Sequence, residues 1–369
     1  MSANPKPGEG LIAVAMSGGV DSSVAALLLK QAGYRVVGLT MKLWSPPASA
    51  CDTNGEKTCC TVDSAMDAKR VCDQLDIPHY TLDMQDDFED RVINPFYESY
   101  LLGETPNPCV SCNSFVKWDA LWQRARAIGA VHIATGHYAA VNEDDGFTYI
   151  VRGDDPRKDQ SYFLWGIPPD SLRQTLFPLG KIDKPEVRRL AAEAGLRTAT
   201  KGESQDICFI PKGNYREFIS DRAQQRGDVL PEGLLVGPDG EDLGMHQGLA
   251  NYTIGQRKGL GVATGEPLFV RKLMPESNTV VLGRKDDLYS NAFVADRFNG
   301  FGPDWDSREC LVQYRYRSPA KPAIVEKEGN GRVRVTLLEP GYCISPGQSA
   351  VFYEGDRLLG GARIRDVIQ

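Results

Sequence analysis

Short apolar runs alternate with helix-like stretches through the first 135 residues, and this alternation limits the folds open to the chain. Apolar runs predict strands at residues 11–16, 34–43, 79–84 and 131–135. Helical spacing predicts helices from Val24 towards Gly33 and over 61–75, 88–102 (interrupted or bent near Pro95) and 114–128. Strands that alternate with helices form a parallel, doubly wound sheet. We therefore predict an α/β fold whose ligand lies beyond the carboxyl ends of the strands.

The chain changes character after Pro178. We predict a helix over 184–195, a loop over 198–211 and a Gly-rich stretch with short strands over 237–265. From residue 291, β-branched and aromatic residues alternate with polar ones near 312–316, 333–338 and 350–353. With turns at Pro340–Gly341 and Pro346–Gly347, this pattern predicts an antiparallel sandwich or barrel. We expect three domains, at residues 1–215, 216–287 and 288–369.

Composition sets the broad class of the protein. The chain of 369 residues is 41% hydrophobic and 25% charged, which is typical of a globular protein and too long for one ordinary core. Its apolar runs are far shorter than the roughly 20 residues that a membrane helix needs, and the N-terminus resembles no secretory signal. We therefore expect a cytoplasmic protein with no membrane partner. Nine cysteines are too few for a disulfide scaffold of this size.

A phosphate-binding loop is the strongest local signal. Ser17-Gly-Gly-Val-Asp-Ser-Ser23 lies between the first predicted strand and the first predicted helix. Glycines let the backbone approach phosphate, and the N–H groups and dipole of a helix N-terminus attract anions. The loop lacks the Gly-Lys-Ser/Thr of a P-loop and the Gly-x-Gly-x-x-Gly of a dinucleotide site. It resembles instead the Ser-Gly-Gly-x-Asp-Ser signature of pyrophosphatases, which implies cleavage of ATP between its α- and β-phosphates.

Three cysteines form the second signal. We predict that Cys109-Val-Ser-Cys112 lies in a loop with the preceding Thr-Pro-Asn-Pro, before a helix that begins near Ser114, and that Cys208 lies in a distant polar loop. A thiol near a helix N-terminus should have a lowered pKa. Three interpretations are open. A redox pair among these cysteines could pass sulfur as a persulfide, or all three thiolates could hold an iron–sulfur cluster with one open iron. Alternatively, the three cysteines are unrelated small residues. Cys51, Cys59, Cys60 and Cys72 fit no common metal site, and Cys72 falls on the apolar side of its helix.

Many ordered blocks resemble the tRNA-specific 2-thiouridylases (the MnmA/TrmU family) over nearly the whole chain. They include residues 15–23, 38–44, 105–108 with 112–113, 134–138, 158–163, 207–210, 246–249, 253–260 and 346–353. The resemblance implies a HUP-like ATP-binding domain with a pyrophosphatase loop, a small central mixed domain and a C-terminal antiparallel β-barrel. It also implies ATP-dependent 2-thiolation of the wobble uridine of tRNA.

The resemblance implies roles for individual residues. Cys112 matches the family's nucleophile and Cys208 its persulfide-bearing cysteine. ATP would be held by Ala15, Met16, Ser17, Gly18, Gly19, Val20, Asp21, Ser22, Met41 and Gly136. The target base would meet Asn107, Pro108 and Cys109, and tRNA would meet His137, Lys158, Asp159, Gln160, Arg315, Tyr316 and Gln348. Many family members have aspartate at position 109, so the cysteine here puts any carboxylate role in doubt.

The implied reaction adenylates the C2 oxygen of uridine and then replaces it with sulfur. We expect ATP with Mg²⁺ as cofactors, the tRNA anticodon stem-loop as substrate, and a sulfur-relay protein or cysteine desulfurase as persulfide donor. Sulfur arrives as a persulfide on Cys208. Either its terminal sulfur attacks C2 directly, or Cys112 reduces the persulfide to release sulfide, which leaves a Cys112–Cys208 disulfide that a reductant must reopen. Alternatively, Cys109, Cys112 and Cys208 hold a [4Fe–4S] cluster whose open iron carries hydrosulfide.

Two other classes share the loop. A nitrogen-inserting pyrophosphatase-loop ligase would use the same nucleotide chemistry but would give no role to Cys112 and Cys208. A nucleotide-sensing RNA-binding protein would bind ATP without releasing AMP when tRNA is added.

Overall fold

A computed structural model describes residues 10–44, 62–202, 207–210, 213–263 and 265–368. Cys51, Cys59 and Cys60 lie outside these residues. The helices are α1 (Val20–Gln31), α2 (Val62–Gln74), α3 (Gln85–Phe88), α4 (Asn94–Leu101), α5 (Pro108–Ser111), α6 (Trp122–Ala127), α7 (Pro169–Leu172), α8 (Lys184–Glu193) and α9 (Tyr215–Arg226), with π-helical segments at Glu89–Ile93 and Cys112–Leu121.

The strands fall into three sheets. They are β1 (Leu11–Ala15), β2 (Arg35–Lys42), β3 (His79–Asp83), β4 (Ala130–Ala134), β5 (Ala139–Asp144), β6 (Phe147–Arg152), β7 (Thr175–Leu176), β8 (Gly233–Val236), β9 (Asp242–His246), β10 (Phe269–Met274), β11 (Thr279–Gly283), β12 (Tyr289–Gly300), β13 (Ser307–Gln313), β14 (Lys321–Gly329), β15 (Arg332–Tyr342), β16 (Ser349–Glu354) and β17 (Arg357–Ile368).

The first sheet is the predicted parallel sheet. Its order is β3-β2-β1-β4-β7, and its neighbouring strands pair in parallel. Apolar side chains cover both faces, since Ala13 and Val37 belong to one core cluster and Ile12 and Val36 to another. This two-sided burial explains the continuous apolar runs in the sequence. The central strand β1 leads directly into the Ser-Gly-Gly loop, which therefore lies at the carboxyl edge of the sheet.

Two helical predictions differ from the structure at prolines. Pro95 lies in the first turn of α4, where a missing N–H costs little, and the irregularity is the π-helical segment just before it. The helix predicted over 114–128 begins earlier, because Pro108 occupies the first turn of α5 and starts it. Cys109 and Cys112 are therefore helical, and the prediction of a loop at these cysteines was wrong.

The second sheet, β10-β11-β8-β9, contains both parallel and antiparallel pairs. Of its strands, β9 lies within residues 237–265, where short strands were predicted, and the others lie outside that stretch. The sheet surrounds its own apolar cluster, which includes Leu235, Val270 and Leu282.

The third sheet is a closed antiparallel barrel. Strands β12-β15-β14-β13-β16-β17 follow one another, and pairing of β12 with β17 closes the circle. This confirms the predicted C-terminal barrel. The predicted turn at Pro340–Gly341 was wrong, because β15 continues through it to Tyr342 beside an irregular register with β12. The hairpin of β5 and β6 pairs with the first residue of the barrel strand β17, through Arg357 and Val151. None of the helices in the described ranges has both the length and the apolar character to cross a membrane.

Candidate active site

The Ser-Gly-Gly loop is held by its own hydroxyl groups. The Ser22 hydroxyl lies 3.2 Å from the Ser17 backbone nitrogen and accepts its hydrogen bond, while the Ser23 hydroxyl donates to the Gly19 carbonyl over 2.8 Å. Gly19 caps α1 with extended backbone angles and no side-chain hydrogen bond. The first turn of α1 therefore keeps backbone donors available for an anion.

Two glycines allow close approach at this loop. Gly18 has φ +69°, and a Cβ there would lie 2.1 Å from the Ser64 carbonyl oxygen. Gly136, after β4, packs against the start of α1 so tightly that a Cβ would lie 2.7 Å from the Ser22 nitrogen. The sequence therefore has glycine where the loop contacts its neighbours, and Gly136 lies beside the loop.

Asp21 of the loop is bound by two residues that sequence reasoning missed. The Lys184 ammonium lies 2.7 and 2.8 Å from the two carboxylate oxygens, and the Tyr138 hydroxyl donates to one of them over 2.7 Å. The Lys184 side chain is 8% exposed. Lys184 is the first residue of α8 and lies far from Asp21 in the sequence. The only sequence signal at Lys184 is Pro185 after it, which indicates the start of a helix.

A second lysine contacts the same loop. Lys201 donates to the Gly18 carbonyl oxygen over 2.8 Å and pairs with Asp67 at 2.9 Å. The loop lacks the internal lysine of a P-loop, and Lys184 and Lys201 supply positive charge from outside it.

A cavity of about 340 Å³ connects the loop to the cysteines. Its lining includes residues predicted for the nucleotide and for sulfur transfer: Ala15, Met16, Ser17, Asp21, Ser22, Met41, Pro108, Cys109, Cys112, Gly136, His137, Gln160 and Cys208. Gly18, Gly19 and Val20 form the adjoining loop and helix start, and Asn107 precedes α5 as its N-cap residue. The structure thus brings the two distant cysteine segments and the phosphate loop to one cavity.

The thiols differ in exposure. Cys109 is exposed, whereas Cys112 and Cys208 are partly buried and pack against the large core cluster. Burial raises the pKa of Cys112 to about 12, and the nearby Lys117 opposes that rise. The expected lowering of the Cys112 pKa by a helix N-terminus was therefore wrong, because removal from water outweighs it. Cys72 is fully buried in the core, as its helical position predicted.

His137 is held between two polar partners. Its Nδ1 lies 2.6 Å from the Thr135 hydroxyl and its Nε2 lies 3.4 Å from the Lys117 ammonium. Burial and the Lys117 charge hold the pKa of His137 well below its usual range. The imidazole at the cavity wall is therefore neutral.

The segment 158–160 divides into inward and outward residues. The Asp159 carboxylate accepts hydrogen bonds from Arg152, from the Ser161 hydroxyl and from two backbone N–H groups. Asp159 is 8% exposed, and its carboxylate is occupied by these partners. The contact of Asp159 with tRNA stays a prediction. Lys158 is partly exposed, and Gln160 accepts from the Tyr138 N–H while lining the cavity.

The barrel residues expected at tRNA lie outside the cavity but next to its walls. The Tyr316 ring lies 4.4 Å from Phe163, a lining residue, and Arg317 lies over Tyr316. Arg315 is partly exposed. The Gln348 amide donates to the Thr105 carbonyl oxygen over 2.8 Å, so it braces the segment that leads to Cys109.

Further barrel contacts hold this segment. Glu104 is 10% exposed in its side chain and pairs with Arg365 at 2.9 Å and Arg363 at 3.5 Å. Thr105 also donates its N–H to the Pro346 carbonyl oxygen over 2.8 Å. The C-terminal barrel thereby positions the segment just before Cys109 and Cys112.

Metal ligation was tested on the same side chains. Within the ranges that the structure describes, no group of three or more His, Cys, Asp or Glu residues is placed to hold a metal ion.

Comparison with known proteins decides the family. A family model described as a tRNA methyl transferase HUP domain matches residues 11–212. A tRNA methyl transferase PRC-barrel domain matches 216–284, and an aminomethyltransferase beta-barrel domain matches 290–364. The tRNA-specific 2-thiouridylase MnmA of Carboxydothermus hydrogenoformans is 46% identical over 359 residues, covering 96% of this chain and 97% of that protein. The chain belongs to the MnmA family.

Other relatives agree with this assignment. The MnmA protein of Amoebophilus asiaticus is 44% identical and covers 97% of this chain and 96% of its own length. Among solved structures, a 4-thiouridine synthetase–RNA complex with bound ATP is 18% identical with a TM-score of 0.37, covering 58% of this chain and 51% of that chain.

Proposed function

We propose that this MnmA-family chain is a tRNA sulfurtransferase that uses ATP to replace the C2 oxygen of the wobble uridine with sulfur. The observation that supports this most strongly is the shared cavity: the phosphate loop and the two partly buried cysteines, Cys112 and Cys208, line the same walls. A nitrogen-inserting ligase would not require two thiols beside its nucleotide, and a nucleotide sensor would require no nucleophile there.

In the first half-reaction, the loop and the first turn of α1 would hold the phosphates of ATP. The uridine C2 oxygen attacks the α-phosphate, a new P–O bond forms, pyrophosphate leaves and the N3 proton is released. Lys184 and Lys201 place positive charge around the loop where the leaving group gains negative charge. Magnesium would arrive on the ATP phosphates, since Asp21 is already bonded to Lys184 and Tyr138.

In the second half-reaction, Cys208 would carry a persulfide supplied by a sulfur-relay protein or a cysteine desulfurase. The Cys112 thiolate attacks the Cys208 Sγ, a Cys112–Cys208 disulfide forms and hydrosulfide leaves. Hydrosulfide attacks C2, AMP departs with the former C2 oxygen, and the sulfur-bound proton passes to N3. A dithiol reductant then reopens the disulfide. The alternative, a [4Fe–4S] cluster on Cys109, Cys112 and Cys208, is less well supported, because the described side chains contain no group of three or more His, Cys, Asp or Glu residues placed to hold a metal ion.

For the tRNA we propose that Asn107, Pro108 and Cys109 border the flipped target base, because Pro108 and Cys109 line the cavity and Asn107 directly precedes them. His137, Lys158, Gln160, Arg315 and Tyr316 would meet the anticodon stem-loop, and Gln348 would act through Thr105. A tRNA substrate implies a cytoplasmic enzyme. We also propose domains at 1–215, 216–287 and 288–369.

The test is a single-turnover reaction of the full chain with unmodified tRNA, ATP and a defined persulfide donor. We expect wild type to form 2-thiouridine, detected by mass spectrometry of digested tRNA, with release of pyrophosphate and AMP. Cys112→Ser and Cys208→Ser should lose thiolation yet still bind ATP. Cys310→Ala is the control, since Cys310 lies in the barrel core. Full thiolation by either serine variant would refute the sulfur relay.

A further inference from the structure

The π-helical segment Cys112–Leu121 changes which side chains share a helix face. A π-helix closes hydrogen bonds between residues five apart, whereas an α-helix closes them four apart. Cys112 and Lys117 are five residues apart in this segment. The wider turn therefore brings Lys117 towards the face of Cys112, and both side chains line the cavity.

Lys117 is fixed in place by a buried amide. Its ammonium donates to the Asn113 Oδ1 over 2.8 Å, and the Asn113 amide nitrogen donates to the Phe163 carbonyl oxygen over 2.9 Å. Asn113 is 2% exposed. Because a buried partner already holds the Lys117 side chain, the side chain loses little further conformational entropy when it interacts with an anion.

The second contact of Lys117 defines the state of its neighbour. An ammonium group can only donate, so the His137 Nε2, 3.4 Å away, must be an acceptor. The His137 proton therefore lies on Nδ1 and is donated to the Thr135 hydroxyl oxygen at 2.6 Å. In the described chain, Lys117 thus contacts two neutral side chains, and its positive charge remains available to an anion in the cavity.

Sulfur transfer in this cavity requires such a charge. Burial raises the pKa of Cys112 to about 12, and Lys117 is the residue that acts against it. The other charged side chain lining the cavity in the described residues is Asp21, which is already paired with Lys184. An unpaired anion in a partly buried site is costly without a nearby cation.

We propose that Lys117, set by the π-helical turn and held by Asn113, is the fixed cation that stabilises negative charge on sulfur at Cys112. It is a positioning residue for the sulfur half-reaction and not for the ATP half-reaction. The inference rests on the proposed function for its catalytic meaning, but the reactivity of Cys112 can be measured without tRNA or ATP.

The experiment compares wild type with Lys117→Gln, Lys117→Arg and Asn113→Asp in the full chain. Labelling of Cys112 by a methanethiosulfonate at one mildly alkaline pH is followed by peptide mass spectrometry. We expect Lys117→Gln to label Cys112 about ten-fold more slowly, which corresponds to about 1.4 kcal/mol. Lys117→Arg should restore the rate, and Asn113→Asp should slow it by neutralising Lys117. Lys69→Gln is the matched control, because Lys69 is 66% exposed.

A parallel assay divides the two half-reactions. We expect Lys117→Gln to release pyrophosphate at the wild-type rate while single-turnover thiolation falls about ten-fold. Wild-type labelling in Lys117→Gln, equal losses in the Gln and Arg variants, or an equal loss of pyrophosphate release would each overturn the inference. Failure of wild type to thiolate tRNA would refute the proposed function instead and would leave the labelling comparison valid.

Discussion

Replacing Gly136 by alanine should damage the nucleotide site through one methyl group. The added Cβ would lie 2.7 Å from both the Asp21 carbonyl carbon and the Ser22 nitrogen, whereas ordinary contacts begin near 3.4 Å. The difference, 3.4 − 2.7 = 0.7 Å, must be taken up by the backbone at the start of α1. Backbone cannot rotate away as a flexible side chain can, so overpacking of this kind costs about 1–3 kcal/mol.

We expect that cost to appear mainly as lost ATP affinity, because the displaced atoms belong to the phosphate loop. A loss of about 1.4 kcal/mol weakens binding about ten-fold, and isothermal titration of ATP into the purified variant measures it. Gly265→Ala is the matched control, since a Cβ there meets nothing within 4 Å. Wild-type ATP affinity in Gly136→Ala would refute the close approach of β4 to the loop.

Three further predictions follow from the same contacts. Lys184→Met should lower the free energy of unfolding in urea by about 1–2 kcal/mol, because Asp21 loses its buried lysine partner while its own side chain, 34% exposed, is partly screened by water; an unchanged midpoint would contradict this. Because the pKa of His137 is held below its usual range, the unfolded chain binds more protons than the folded chain as the pH falls below about 6.5, and the folded protein loses stability. His137→Gln should flatten this pH dependence of urea unfolding between pH 5 and 7. An identical slope in wild type and variant would count against a neutral imidazole. Exposed Cys109 should be alkylated before Cys112 at neutral pH, since burial raises the Cys112 pKa to about 12; peptide mapping that finds Cys112 labelled first would reverse this reasoning.

The parallel sheet and the phosphate loop could be predicted from the sequence, because burial on both faces leaves a clear local pattern. Strand β1 is a continuous apolar run, and the Ser-Gly-Gly segment follows it directly. The predicted ranges of β2 and β3 differ from the structure by only a residue or so at each end. The C-terminal barrel was also predictable, since β14 and the first half of β15 alternate buried and exposed side chains.

Residues whose role depends on tertiary contacts could not be predicted in this way. Lys184 and Asp21 are 163 residues apart in the sequence but form an ion pair, and the local sequence of neither residue indicates the other. Lys117 faces the cysteine only because the helix widens, and no propensity rule separates a π-helical turn from an α-helical one. The carboxylate of Asp159 is buried, and local sequence does not show which way such a loop side chain points.

The ion pairs between the barrel and Glu104 have a consequence for biosynthesis. Arg363 and Arg365 lie on β17, whereas Glu104 precedes α5 by only a few residues. The ribosome makes Glu104 long before either arginine, and its ion-pair partners exist only after β17 has been translated. A chain that ends before β17 would therefore contain the complete Ser-Gly-Gly loop but would lack both ion-pair partners of Glu104.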